Sequence, residues 1–98
     1  MQQQQSDTRE RTRYMMPRKY KVIMYNDDYT TMDFVVMVLK QVFHKSEEQA
    51  EAIMMKVHNE GEAVVGIYTL DMAKTKVNYT MCVAEKSGFP LKLVYLPE

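Results

Sequence analysis

The segment Asn26-Asp27-Asp28-Tyr29-Thr30 places two carboxylates, a carboxamide oxygen and two hydroxyls within five residues. Ionised carboxylates only accept hydrogen bonds, and a carboxamide oxygen adds one more acceptor. Such a set suits a guest that brings donors and positive charge, an ammonium ion above all. Farther along, Met54 and His58 stand four residues apart and Val57 three beyond Met54, so on a helix the thioether and the imidazole share one face. If that face meets a helix beginning near Met32, a methionine-lined hollow acquires a rim of Asn26, Asp27, Asp28 and His58. An apolar side chain carried next to a free amine is the matching ligand, with the neutral imidazole as a further acceptor.

Other chemistries find no support. There is no glycine-rich phosphate loop, serine elbow or cysteine pair, and neither His44 nor His58 has a histidine at i+4. The turn at Asn26 superficially resembles the start of a calcium loop, but Thr31 stands where glycine is needed and Met37 where the bidentate glutamate belongs. Cys82 falls mid-helix among apolar neighbours and is expected to be a small buried thiol, not a nucleophile. The expectation is a binding protein with no catalytic residues, no metal and no cofactor.

At 98 residues the chain allows one domain, and 46% hydrophobic with 27% charged residues is globular composition. A lone cysteine cannot form an internal disulfide, which fits a reducing compartment. No apolar run approaches the ~18 residues of a membrane span, and Met1 to Arg13 carries glutamines and charges where a signal peptide needs an apolar stretch. Cytoplasmic residence and a monomer, with no exposed heptad to demand a dimer, are the expectations. Residues 1–21 hold six Lys/Arg against two Asp/Glu and residues 22–98 seven against eleven, so the two parts carry +4 and −4. The acidic body argues against nucleic-acid binding by the domain as a whole. A basic-arm RNA-binding module, using residues 1–19 and exposed tyrosines, is the alternative reading; it implies steep salt dependence.

The elements that must position the acceptors follow from periodicity. Residues 1–19 lack it and are expected to be a disordered basic extension before a core domain at 20–98. Tyr20 to Tyr25 is rich in β-favouring residues and should form a strand that stops at the Asn-Asp-Asp turn. Thr30 or Thr31 then caps a helix with Met32, Val35, Val36, Leu39 and Phe43 as its stripe, running to about His44. Ser46-Glu47-Glu48-Gln49 is a capping-box sequence opening a second helix, with Ala50, Ile53, Met54 and Val57 inward and Gly61 as its left-handed end. Ala63 to Tyr68 reads as a strand in which Gly66 marks a bulge or a close backbone approach. Thr69 caps a third helix bearing Ala73, Val77, Met81 and Ala84, ended by Ser87-Gly88, and Leu91 to Tyr95 closes as a strand. The order β-α-α-β-α-β implies an α+β fold, a small two-layer sandwich with a three-stranded antiparallel sheet packed against three helices.

Three separated motifs, Asn26-Asp27-Asp28-Tyr29-Thr30-Thr31-Met32-Asp33-Phe34-Val35, Val57-His58-x-x-Gly61, and Tyr68-Thr69 followed by Ala73-x-Thr75-Lys76, occur in this order. Together they resemble the ClpS family, adaptors that hand substrates to the Clp ATP-dependent protease. The resemblance covers about Lys19 to Leu96. It implies recognition of proteins that begin with Leu, Phe, Tyr or Trp, the N-degron, and their delivery to the N-terminal domain of a ClpA-type AAA+ unfoldase. It further implies amine binding by Asn26, Asp28 and His58, with Asp27 beside them, and a side-chain pocket of Met24, Tyr25, Thr30, Met32, Val35, Met54, Val57 and Leu91. Met32 matches the gate that disfavours β-branched first residues. Asp71 and Lys76 match unfoldase-docking positions, although Asp71 is shorter than the family's usual glutamate and Lys74 stands where an acidic residue is common. Thr31 replaces a frequent proline, and either residue can begin a helix.

Overall fold

The computed structural model describes residues 18–98, and within them the elements run β1 (Lys19–Tyr25), α1 (Met32–Gln41), α2 (Glu47–Glu60), β2 (Glu62–Thr69), α3 (Leu70–Lys86) and β3 (Lys92–Pro97). The expected N-terminal extension lies outside the described residues except for Arg18 and Lys19, and Lys19 already belongs to β1. The three strands form an antiparallel sheet in the order β2-β1-β3. The predicted α+β architecture and element order hold.

Alternation along β1 turns Val22 and Met24 toward the helices, where both are fully buried. Ile23 points to the opposite face and pairs with Val64 on one side and Val94 on the other. The register of β1 against β2 slips between Val22 and Ile23: Val22 faces Gly66 and Ile23 faces Val64, leaving Val65 as the extra residue of a bulge. Ala63 and Val65 share the core face by strand alternation, and the bulge sets Gly66, opposite inward-facing Val22, on that face as well. It also brings Gly66 under the ring of Tyr68, and a Cβ there would lie 2.6 Å from the phenolic oxygen. Any side chain at 66 would push the Tyr68 ring aside, a close approach of the kind that a glycine in an otherwise apolar strand implied.

Thr31 is the N-cap of α1, its hydroxyl accepting from the Phe34 amide at 3.1 Å. The helix stops at Gln41, three residues short of expectation, and the chain turns through His44 in the left-handed region (φ 57°). Its buried residues are Phe34, Val35, Val38 and Leu39, so the predicted stripe is shifted. Met32 is 45% exposed because it sits in the first turn at the edge of the core. Phe34 and Val38 go inward because α1 is covered on two sides: Phe34 meets Phe89 edge-on at 5.0 Å, and Val38 lies beside Thr80 and Val83 of α3. The Ser46–Gln49 capping box forms reciprocally at 3.1 Å in each direction, and Gly61 closes α2 at φ 90° while its amide bonds to the Val57 carbonyl. Thr69 precedes α3 in extended geometry, but its side chain makes no capping bond. Cys82, expected inside, is exposed, because the buried residues of α3 are Ala73, Lys76, Val77, Thr80 and Ala84.

Lys76 is the one charged residue of that inner face, at 9% exposure. Its ammonium donates to the Val42 carbonyl at 2.6 Å, just past the end of α1, and lies 5.9 Å and 5.7 Å from the ring centres of Phe43 and Tyr68. A buried charge is tolerated only where a strong acceptor and polarisable rings replace water. Lys76→Met keeps the aliphatic stem and removes the charged bond, so unfolding in urea should show a loss of about 1.5–3 kcal/mol. An unchanged urea midpoint would mean that the ammonium contributes nothing to holding α3 on α1.

Candidate functional site

The turn after β1 is organised by one carboxylate. Asp27 Oδ1 accepts from the amides of Tyr29 (2.8 Å) and Thr30 (2.7 Å), and its Oδ2 accepts from the Thr30 hydroxyl at 2.7 Å. This folds Asn26–Thr30 into a rigid connection ending at the Thr31 cap. The Asn26 amide then donates to the Gly61 carbonyl at 2.9 Å, tying the turn to the end of α2. That bond brings residues 26–28 and residue 58 to one place.

Between the turn, α1 and α2 lies a cavity of about 250 Å³, lined by Asn26, Asp27, Asp28, Thr30, Met32 and His58 and, deeper in, by Val35, Met54 and Val57. Val35 and Val57 are buried, whereas Asn26, Asp28, Met32 and His58 are exposed at the rim. An apolar hollow with an oxygen and imidazole margin is the geometry expected from the spacing of these residues. All four expected amine-binding residues line it, as do Thr30, Met32, Val35, Met54 and Val57.

Three expected pocket residues do not line the cavity. Met24 and Leu91 are closed within the core, at 0% and 5% exposure. Tyr25, one residue on from inward-facing Met24, points to the other side of the sheet, where the Lys92 ammonium lies 5.9 Å from its ring centre. Asp27 also differs from its neighbours, since it gives its oxygens to the turn. Burial pushes its carboxyl pKa up, but the bonds from the Thr30 amide, the Thr30 hydroxyl and the Tyr29 amide outweigh that, and the net direction is below the ordinary 3.8. Among the described residues no group of three or more His, Cys, Asp or Glu is arranged to hold a metal ion.

The family model for "ATP-dependent Clp protease adaptor protein ClpS" matches residues 15–94. The chain belongs to the ClpS family. It is 48% identical to the Clp protease adapter ClpS of Deinococcus radiodurans over 93 residues, covering 95% of this chain and 82% of that one. With the ClpS of Wolinella succinogenes the identity is 55% over 78 residues, 80% of this chain and 76% of the relative. The structure of Agrobacterium tumefaciens ClpS2 bound to L-phenylalaninamide superposes with a TM-score of 0.81 at 42% identity, covering 85% of this chain and all of that one. The relatives are named as adapters, not as enzymes. No helix among the described residues is long and apolar enough to cross a membrane.

Of the two docking positions that the ClpS resemblance implies, Asp71 is exposed in the first turn of α3, while Lys76 is turned inward toward Val42. Sequence reasoning did not anticipate the Gly61 carbonyl, because a backbone acceptor leaves no mark in a pattern of side chains.

The depressed Asp27 pKa fixes a sign. Its carboxylate stabilises the folded state above the unfolded value near 3.8, and that stabilisation is lost as pH falls through the lower folded value. Asp27→Ala should therefore cost stability at neutral pH, on the scale of a lost cap at ~1 kcal/mol. The gap to the wild type should close at acid pH as the wild-type carboxyl protonates. Urea midpoints across an acid titration check this; a gap that persists unchanged would detach Asp27 from the turn's stability.

Proposed function

We propose that the cavity is the N-degron site of a ClpS adaptor, holding the first side chain of a substrate protein in its hollow and the free α-amine at its rim. The single observation that carries this reading is the convergence of Asn26, Asp28 and His58 on the mouth of a hollow floored by Met54, Val35 and Val57. Size supports it: an apolar cavity of about 150 Å³ accommodates benzene, so about 250 Å³ has room for a Leu, Phe or Tyr side chain and part of its backbone. L-Phenylalaninamide, the ligand of the Agrobacterium ClpS2 structure, combines an aromatic side chain with a free amine.

The energetics explain why both halves are needed. Burying a Leu or Phe side chain is worth ~1.5–3 kcal/mol, well short of the ~8 kcal/mol of micromolar binding. Charge-assisted hydrogen bonds from the ammonium to Asp28, Asn26 and His58 supply much of the remainder. An internal residue of a folded chain has the side chain without the amine, and a protein starting with Ser has the amine without the apolar group. Each therefore forfeits one half.

Bound cargo is delivered to a ClpA-type AAA+ unfoldase through the surface at the start of α3. Asp71 makes the direct contact there, and Lys76 fixes the helix that presents it. The exposure of Asp71 and the inward tie of Lys76 support this division. A cytoplasmic setting accords with the lone free cysteine.

Titration with three peptides tests the reading. A Phe-initiated peptide should bind, while its Ser-initiated and N-acetylated counterparts should bind at least ~100-fold more weakly, because acetylation leaves the rim acceptors without donors. Equal affinity for acetylated and free Phe peptides would end the proposal. The gate has its own test. Met32 is exposed at the cavity mouth, so Met32→Ala should widen it and reduce a Leu-over-Ile preference of roughly tenfold toward unity. If the variant discriminates Leu from Ile as the wild type does, Met32 does not set the shape of the mouth.

A further inference from the structure

Between α1 and α3 lies another cavity, of about 260 Å³, that shares no residue with the degron cavity. Met37, Val38, Val42 and Val83 give it apolar walls, and the exposed ring of Tyr79 stands at its mouth. Its lining also includes Thr80, which is completely buried on the inner face of α3. The Thr80 hydroxyl has no hydrogen-bond partner, the one buried side-chain oxygen or nitrogen left so among the described residues. A hydroxyl closed off from water and unpaired costs stability, and it marks a place where a partner can be supplied from outside. Water is a poor partner there, because a buried water needs about two to four polar contacts. The other polar side chains of the lining, Gln41 and Tyr79, are exposed.

We propose that this cavity binds a small planar aromatic molecule with a single N–H or O–H donor, and that the donor bonds to the Thr80 oxygen. A threonine oxygen has two lone pairs and one proton, so a guest that donates leaves the hydroxyl proton free to turn toward the helix backbone. The walls select the rest of the guest. An apolar cavity of about 150 Å³ accommodates benzene, so about 260 Å³ has room for two fused rings. The Met37 thioether offers sulfur–aromatic contacts, and the Tyr79 ring offers a face or an edge to pack on. No charged side chain lines the cavity, so a charged guest would lose its water without gaining a counter-ion. Met37, unbranched and half-buried, is the wall able to move aside as the guest enters. The adaptor thus carries a small-molecule site apart from the one that reads its substrates, and the inference does not draw on the degron reading.

Titration of the full chain with indole, followed by side-chain methyl signals in proton–carbon NMR spectra, tests this. Benzofuran, which has the same two-ring outline and no N–H, is the comparison compound. Thr80→Val, which removes the hydroxyl at nearly constant volume, is the comparison protein. Indole should move the signals of Met37, Val42 and Val83 with a dissociation constant below roughly 1 mM. It should bind the wild type roughly tenfold more tightly than benzofuran does, the effect of one buried hydrogen bond. In Thr80→Val the two compounds should bind alike, and the variant should be no less stable, since it loses an unpaired group. Shifts confined to Val35, Met54 and Val57 would put indole in the degron cavity alone and overturn the site. So would a failure to saturate in the millimolar range, equal binding of both compounds by the wild type, or a preference for indole that survives in Thr80→Val. Should the variant not fold, the wild-type ratio and the location of the shifts still decide.

Discussion

The bond from the Asn26 amide to the Gly61 carbonyl joins the end of β1 to the end of α2, and the site exists only because that junction is made. Gly61 presents its carbonyl there because it ends α2 in the left-handed conformation, which a residue with a side chain adopts only under strain. On the other side of the junction, Asp27 commits both oxygens to Tyr29 and Thr30 and so fixes the path into the Thr31 cap. Asn26 and Asp28 are then held on either side of a rigid residue, and His58 faces them from the last turn of α2. A mobile loop would have to lose conformational entropy at each binding event, whereas this one has lost it on folding.

Two adjacent aspartates thus serve different ends. Asp27 works within the protein, its carboxylate kept ionised by three internal donors. Asp28 remains exposed and is available to a ligand. The methionines divide in a similar way. Met24 is a fully enclosed core residue, whereas Met32 and Met54 border an open hollow, where a flexible and polarisable side chain can adapt to guests of differing shape.

Lys76 shows how a surface-type residue is drawn inside. The end of α1 leaves the Val42 carbonyl without a helical partner, and the ammonium from α3 donates to it. The resemblance to ClpS marked Lys76 by its position in a motif, but a motif records identity and not direction. With the ammonium near the rings of Phe43 and Tyr68, Lys76 ties α3 to the end of α1, whereas Asp71 stays exposed.

Element order, the cap at Ser46, the glycine end of α2 and the irregularity of β2 at Gly66 follow from the sequence, since each depends on contacts within a few residues; of the two threonines the sequence offered as the first cap, the structure uses Thr31. The cavity lining was also legible, as i and i+4 spacing puts Met54 and His58 on one face and the turn composition supplies the acceptors. Tertiary packing decided the rest. Covering α1 on two sides moved its buried face to Phe34 and Val38 and released Met32, while strand alternation against the core sent Met24 inward and Tyr25 away from the site. Helical and strand periods fix which residues share a face, but only the neighbouring elements determine what each face meets, and the inward turn of Lys76 and the exposure of Cys82 were decided at that level.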